Sequence, residues 1–398
     1  MTTTLSTETL EFIERHRNGD VRSLALQSAG HKNVDMTAAL EQIEGWQTAC
    51  RKLPLWSRTA GMIYPPRLSM EQCSSEETAR YKAETIGGGD SFADLTGGFG
   101  VDCSWMARGF KQAWYVERNE KLCALANHNF KALGLAHIHV CHEEAAQFLS
   151  RMQPKDVVFL DPARRDAHGG KTVAITDCTP DVKALFPLLK AKTGRILIKL
   201  SPMLDITQAL SDLPDITEVH VISVNNECKE LLLLYDKRKG DTDDPTFHTV
   251  NMSAGTQRFA FTRQAETTAV CQFATDPETY LYEPNASLLK AGAFHILSPA
   301  FHVRKLQENS HLYTSTALQD NFPGRIFKID AVSGFGKREL KTFLSDIPRA
   351  NLTVRNFPGT VAGLRKRLKL KDGGDVYIFA TTLQNKEKVL IKCRKASF

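Results

Sequence analysis

The sequence predicts an α/β fold: a mostly parallel sheet with an antiparallel terminal strand, a helical N-terminal region and α+β modules at the C-terminus. Three observations carry this. From Ser91 to about Lys237, short apolar runs alternate with stretches of helical composition, the pattern of βα units. The last two runs, 218–224 and 231–236, are separated by Asn225–Glu230 alone, too few residues for a helical crossover, so they pair antiparallel. The first run ends in Asp94-Leu95-Thr96-Gly97-Gly98-Phe99-Gly100, a glycine turn between a strand and a helix-forming stretch.

Residues 1–86 read as helices. Asp35 is an N-cap for a helix that sets Ala39, Leu40, Ile43 and Trp46 on one side. Ser69 with Gln72, and Ser74 with Glu77, have capping-box spacing, so a helix begins near Ser75 and runs to Ile86. Gly87-Gly88-Gly89 ends it. A sheet domain then occupies 87–240, with strands at 91–95, 113–117, 137–141, 156–160, 194–200, 218–224 and 231–236. Residues 241–325 hold a hairpin (246–251 and 257–263, turning at Ser253-Ala254-Gly255) and a mixed segment. Residues 326–398 form a compact α+β module in which Leu340, Phe343, Leu344 and Ile347 make one buried stripe on a helix over 337–347.

Composition narrows the class. With 398 residues, 42% hydrophobic and 24% charged, the chain can fill several ordinary cores. No apolar run is long enough to span a bilayer, and Met1–Thr9 lacks a secretory pattern. Nine cysteines without a CxxC pair read as reduced thiols in the cytoplasm, so neither a disulfide framework nor a metal site is expected. His137, His139 and Cys141 alternate along one strand, but a strand covered by helices on both faces makes a buried, satisfied histidine the expected outcome. The net charge of +6 is unevenly spread: residues 326–398 hold 16 Lys and Arg against 6 Asp and Glu, the rest 35 against 39. The basic end suits a polyanion. Its candidates are Lys337 and Arg338 at the start of one helix and Arg365, Lys366, Arg367 and Lys369 gathered on a face of the next.

The glycine turn is the strongest motif. Glycines let backbone approach a ligand, and Glu117, at the end of the next strand and 20 residues after Gly97, can accept both hydroxyls of a ribose. The spacing Gly97-Gly98-x-Gly100 does not satisfy GxGxxG, which disfavours a dinucleotide-dependent oxidoreductase. Asp94, just before the turn, argues against a nearby diphosphate and suits a ligand with a cationic end. Glu143 and Glu144, after the third strand, either face an adenine amino group or favour the following helix through its dipole. A second strand-end motif, Asp161-Pro162-Ala163-Arg164-Arg165, lies at the edge where open α/β sheets bind ligands. There a carboxylate can accept a hydrogen bond from a nucleophilic nitrogen, and arginines can hold phosphate. Lys199, Ser201 and Asp205, after the fifth strand, are secondary candidates on that edge.

Asp94–Asp102, Glu117 and Asp161–Arg165 resemble the motifs of class I S-adenosylmethionine-dependent methyltransferases, whose sheet is Rossmann-like. Glu71-Gln72-Cys73-Ser74-Ser75-Glu76 resembles the segment that covers the cofactor in several RNA and DNA methyltransferases. Nearly the whole chain is similar to a bacterial family of RNA methyltransferases with a ferredoxin-like and a THUMP-like domain at the C-terminus. The resemblance implies S-adenosylmethionine held by Ser75, Asp94, Thr96, Gly97, Gly98, Gly100, Asp102, Glu117, Arg118 and Glu143 or Glu144. It implies catalysis by Asp161, Pro162 and Arg164, and ribosomal or transfer RNA bound through Arg165 and the basic module. Where enzymes acting on exocyclic amines carry Asp/Asn-Pro-Pro-aromatic, this chain has Ala163 and Arg164. That departure leaves ring nitrogen, ring carbon or ribose as targets. It also keeps an alternative open, an RNA-binding protein on a non-catalytic methyltransferase fold.

Overall fold

In the computed structural model, which describes residues 5–26, 30–164, 175–240, 242–345 and 347–396, the apolar runs become strands. The chain divides into two compact units, Met1–Thr217 with Leu232–Asp243, and Glu218–Leu231 with Asp244–Phe398.

The first unit opens with helices. Asp35 accepts the Ala38 N–H and starts the helix Met36–Lys52, in which Ala39 and Ile43 are fully buried and Leu40 packs beside them. The helix Glu76–Ile86 is capped by Ser75, whose hydroxyl accepts the Thr78 N–H, and it stops at Gly87 in a positive-φ conformation. Neither serine singled out for a capping box is its cap: Ser69 lies inside the short helix Arg67–Gln72, and Ser74 turns inward. Trp56, Tyr64, Met70 and Ala79 of this N-terminal region share one apolar cluster with Phe99 and Val101. The N-terminal region therefore props the segment that follows the glycine turn.

The strands of this unit are β1 (Gly89–Asp94), β2 (Phe110–Glu117), β3 (Ile138–His142), β4 (Val157–Leu160) and β5 (Arg195–Leu200), joined by the end of a later strand, β7. Their hydrogen-bonded order is β7–β5–β4–β1–β2–β3. β1 runs parallel to both β2 and β4, with Asp94 beside Tyr115 on one side and Phe159 on the other. The chain order reverses between β1 and β4, which makes their carboxyl ends the natural ligand crevice. β4 is buried at all four positions, as an uninterrupted Val-Val-Phe-Leu run requires. β3 is the last strand in this order, so the helix cover expected for its histidines is incomplete. His139 is exposed and its ring lies tilted against Trp114, while His137, just before β3, bonds the Ala107 carbonyl.

In the second unit, β6 (Glu218–Val224) turns into β7 (Glu227–Asp236) through Asn225 and Asn226, both at positive φ. This is the tight antiparallel hairpin that a two-residue loop produces. β7 starts four residues earlier than the sequence indicates, because Glu227–Glu230 is polar and gives no apolar signal. The hairpin expected at 246–263 forms from β8 (Thr246–Met252) and β9 (Gln257–Thr262), and β8 adds parallel to β6. A second sheet is built from β10 (Tyr280–Pro284), β11 (Tyr313–Ser315), β12 (Gly324–Ser333), β13 (Asn351–Val354), β14 (Val376–Thr382) and β15 (Lys388–Lys395). Their order is β11–β10–β12–β15–β14–β13, with Arg304–Lys305 beside β11. The helix Lys337–Phe343 is shorter than the apolar stripe suggests. Leu344 caps it, and Ile347 is buried from the turn beyond, since Pro348 disfavours helix at the residue before it. Among the described residues, no helix is long and apolar enough to cross a membrane.

Candidate active site

The glycine turn sits against β2, and each glycine has a distinct reason to be there. A Cβ on Gly97 would lie 2.2 Å from the Tyr115 ring; Gly98 and Gly100 adopt φ of +54° and +86°. Glu117 accepts the Gly98 N–H (2.9 Å) and the Asn119 N–H (2.8 Å), and the Tyr115 hydroxyl donates to the Gly98 carbonyl. The loop is thus fixed from both peptide faces of Gly98.

Asp94 is 1% exposed and accepts the Thr96 N–H at 3.0 Å. Burial pushes its carboxyl well above the ordinary range, and the nearby carboxylates of Asp102, Asp161 and Glu117 push it further. Asp161, just past β4, donates its N–H to the Thr96 hydroxyl at 2.6 Å, which ties the two strand-end motifs together. Its carboxylate pairs with Lys199 from β5; burial raises its proton affinity and the ammonium opposes that rise. Pro162 is buried and Ala163 exposed, and Ala163–Arg164 pairs antiparallel with Cys178–Thr179. Arg165 lies outside the described residues.

Asp102 points into a polar cluster under the turn. It accepts the Ser74 hydroxyl (2.7 Å), faces the fully buried Lys82 ammonium at 3.1 Å, and lies 3.8 Å from Lys199. The sequence reading took Ser74 for a helix cap and did not single out Lys82. The signal was present for Lys82: it follows Thr78 and Ala79 by four and three residues, on the buried stripe of its helix. Ser75, assigned to the cofactor, spends its hydroxyl on the helix cap, and Arg118 is exposed. Glu143 pairs with Arg151, whereas Glu144 occupies the N-cap of the helix Ala145–Arg151 without a capping bond.

The basic residues do not share one face. On the helix Val361–Leu368, Arg365 is drawn to Asp372 (2.6 Å) and the Ala350 carbonyl, and Arg367 lies over the Phe335 ring. Lys366 and Lys369 are exposed, as are Lys337 and Arg338. Consecutive helical residues are 100° apart, so 365, 366 and 367 necessarily fan out.

Residues 280–323 match the model of a ferredoxin-like domain and residues 324–395 that of a THUMP-like domain. A crystal structure of a "putative methyltransferase" from Porphyromonas gingivalis W83 is 33% identical, with 97% of each chain covered and a TM-score of 0.87. An rRNA methylase from Streptococcus thermophilus is 13% identical over 40% of this chain and 93% of its own (TM-score 0.30). TrmK from M. capricolum, in complex with S-adenosyl-homocysteine, is 15% identical over 40% of this chain and 67% of its own (TM-score 0.31). No match was found among curated proteins.

Proposed function

We propose S-adenosylmethionine-dependent methyl transfer to RNA, from a plain premise: the chain belongs to the bacterial methyltransferase family with ferredoxin-like and THUMP-like C-terminal domains. The observation that carries the reading is the meeting of Asp94, Glu117 and Asp161 at the carboxyl ends of three adjacent parallel strands, with Thr96 bonded to Asp161.

The residues fit the cofactor. The turn is a cradle that a Cβ at Gly97 would fill, and beside it lies a buried carboxylate crowded by three others, which suits a cation. Asp94 would face the ammonium of the cofactor and Glu117 its ribose hydroxyls, with Thr96, Gly97, Gly98 and Gly100 supplying close backbone. Glu144 is better placed than Glu143 to reach a base, because Arg151 already holds Glu143. When bound, the cofactor supplies an electrophilic methyl group on a sulfonium. The chain's own work is alignment. Asp161 accepts a hydrogen bond from the target N–H or O–H, Lys199 holds that carboxylate in place, and buried Pro162 stiffens its loop. Arg164 and Arg165 follow directly and are assigned to the phosphate of the target nucleotide.

The THUMP-like module is assigned to RNA, with Lys337, Arg338, Lys366 and Lys369, all exposed, among the cations that would meet it. Arg365 and Arg367 are partly engaged within the protein and shape that surface. All nine cysteines are free thiols, which suits a cytoplasmic protein.

Mass spectrometry of nucleosides in RNA from cells with and without the gene tests the reaction. One modified nucleoside should vanish on deletion and return with wild-type protein, but not with Asp161→Ala, which still binds cofactor by calorimetry. If the protein binds cofactor and RNA yet no nucleoside changes, the non-catalytic reading replaces this one. Binding of NAD alone would refute the cofactor assignment. For the RNA surface, Lys366→Gln with Lys369→Gln should reduce the slope of log affinity against log salt by roughly 1.5. An unchanged slope removes these lysines from the interface.

A further inference from the structure

Outside the nucleoside crevice, Glu218, His220 and His248 converge within the second unit. Glu218 and His220 are two residues apart on β6 and so share a face. The parallel register sets His248 of β8 beside His220. His220 Nε2 and His248 Nε2 lie 3.2 and 3.0 Å from one carboxylate oxygen, Glu218 Oε2, and the three ligand atoms fit within 4.8 Å of one another. The imidazoles are nearly parallel, with centroids 4.6 Å apart. Glu218 and His220 are buried, while the His248 side chain is one-third exposed.

A hydrogen-bonded cluster would aim imidazole N–H groups at the carboxylate. His248 Nε2 is shut off from solvent and makes no hydrogen bond, although the carboxylate oxygen is only 3.0 Å away. Donor atoms about 3 Å apart that make no hydrogen bond to each other have the spacing of neighbouring vertices in a coordination polyhedron. Metal–ligand bonds of about 2.0–2.1 Å at tetrahedral angles put adjacent donors roughly 3.3 Å apart. On the far side of β8 the residue paired with His248 is Ala260, small and exposed.

We infer that Glu218, His220 and His248 bind one divalent transition-metal ion, with zinc the best match to two imidazoles and a carboxylate. Residue spacing alone does not reveal the site, because His220 and His248 are 28 residues apart and only the parallel register of β6 and β8 unites them. The site is independent of the methyl-transfer reading: it uses no residue of the nucleoside crevice.

The test uses the full chain, stripped with a chelator and titrated with Zn²⁺ and Co²⁺. We expect one ion per chain by elemental analysis. The Co²⁺ form should show visible d–d bands without the near-ultraviolet charge transfer that thiolate ligands give. Zn²⁺ should raise the melting temperature of wild type and leave that of His248→Ala unmoved. Glu218→Gln and His248→Ala should each weaken binding by on the order of 100-fold. Partly exposed His248 makes its variant the one expected to fold, and the Co²⁺ spectrum of wild type stands even if the Glu218 variant does not. Failure to bind either ion at micromolar concentration overturns the inference. So does a thiolate spectrum, or binding undiminished in a folded His248→Ala.

Discussion

Lys82→Met isolates the polar cluster beneath the glycine turn. Methionine keeps an unbranched apolar side chain of nearly the same length and removes the ammonium, with its charge and its hydrogen bond to Ser74. Lys82 is fully buried, 3.1 Å from Asp102, and it donates to Ser74 at 3.1 Å. Without it, the Asp102 carboxylate stays buried with the Ser74 hydroxyl at 2.7 Å and Lys199 at 3.8 Å. Breaking one side of a buried ion pair costs about 3–5 kcal/mol. The remaining Lys199 ammonium offsets part of this, so the expected loss is ~3 kcal/mol, or a fall in melting temperature of roughly 6–12 °C. Lys82→Met with Asp102→Asn, which leaves no uncompensated charge, should recover at least half of it. All four tryptophans, Trp46, Trp56, Trp105 and Trp114, lie in the first unit, so their fluorescence reports this transition without interference from the second. A single variant melting within about 2 °C of wild type would refute the reasoning, as would a double variant as unstable as the two single losses added together.

Two further outcomes follow from the same site. Gly97→Ala drives a methyl group into the buried Tyr115 ring at an ordinary backbone conformation, so overpacking alone should cost about 1–3 kcal/mol. It should weaken S-adenosyl-homocysteine binding by roughly tenfold or more, whereas Gly30→Ala, which meets nothing within 4 Å, should not; equal binding by both variants in calorimetry sinks the cradle. Because burial and its carboxylate neighbours hold the Asp94 proton above the usual carboxylate range, a cationic ligand must displace that proton. Binding should therefore tighten as pH rises toward the raised value and level off above it, with protons released to buffer; Asp94→Asn should abolish the release, and calorimetry in two buffers at mildly acidic pH that detects none in wild type contradicts the assignment.

The strands of the first unit were legible because buried parallel strands are continuous apolar runs, as Val157–Leu160 shows. The acids Asp94, Glu117 and Asp161 were legible because they end such strands. Ser74 and Lys82 were not, since a serine with capping-box spacing is indistinguishable by pattern from one that bonds Asp102 28 residues away. The basic helix misled for a simpler reason: adjacency in sequence was read as adjacency on a face, and Arg365 and Arg367 point to different partners. The histidines of β3 were weighed as a metal cluster because they alternate on one strand, while Glu218, His220 and His248 need a strand pairing to be seen at all.

The seven-residue ladder between β8 and β6 decides which fragments are usable reagents. A protein shortened after Gly240, the cut that the acidic stretch Asp241-Thr242-Asp243-Asp244 invites, would strip β6 of that neighbour. Six of the seven β6 positions are buried, so a row of bare N–H and C=O groups would then sit on an apolar strand. Such a piece would stick to its own copies before it could be assayed, and its silence in a binding experiment would say nothing about the crevice.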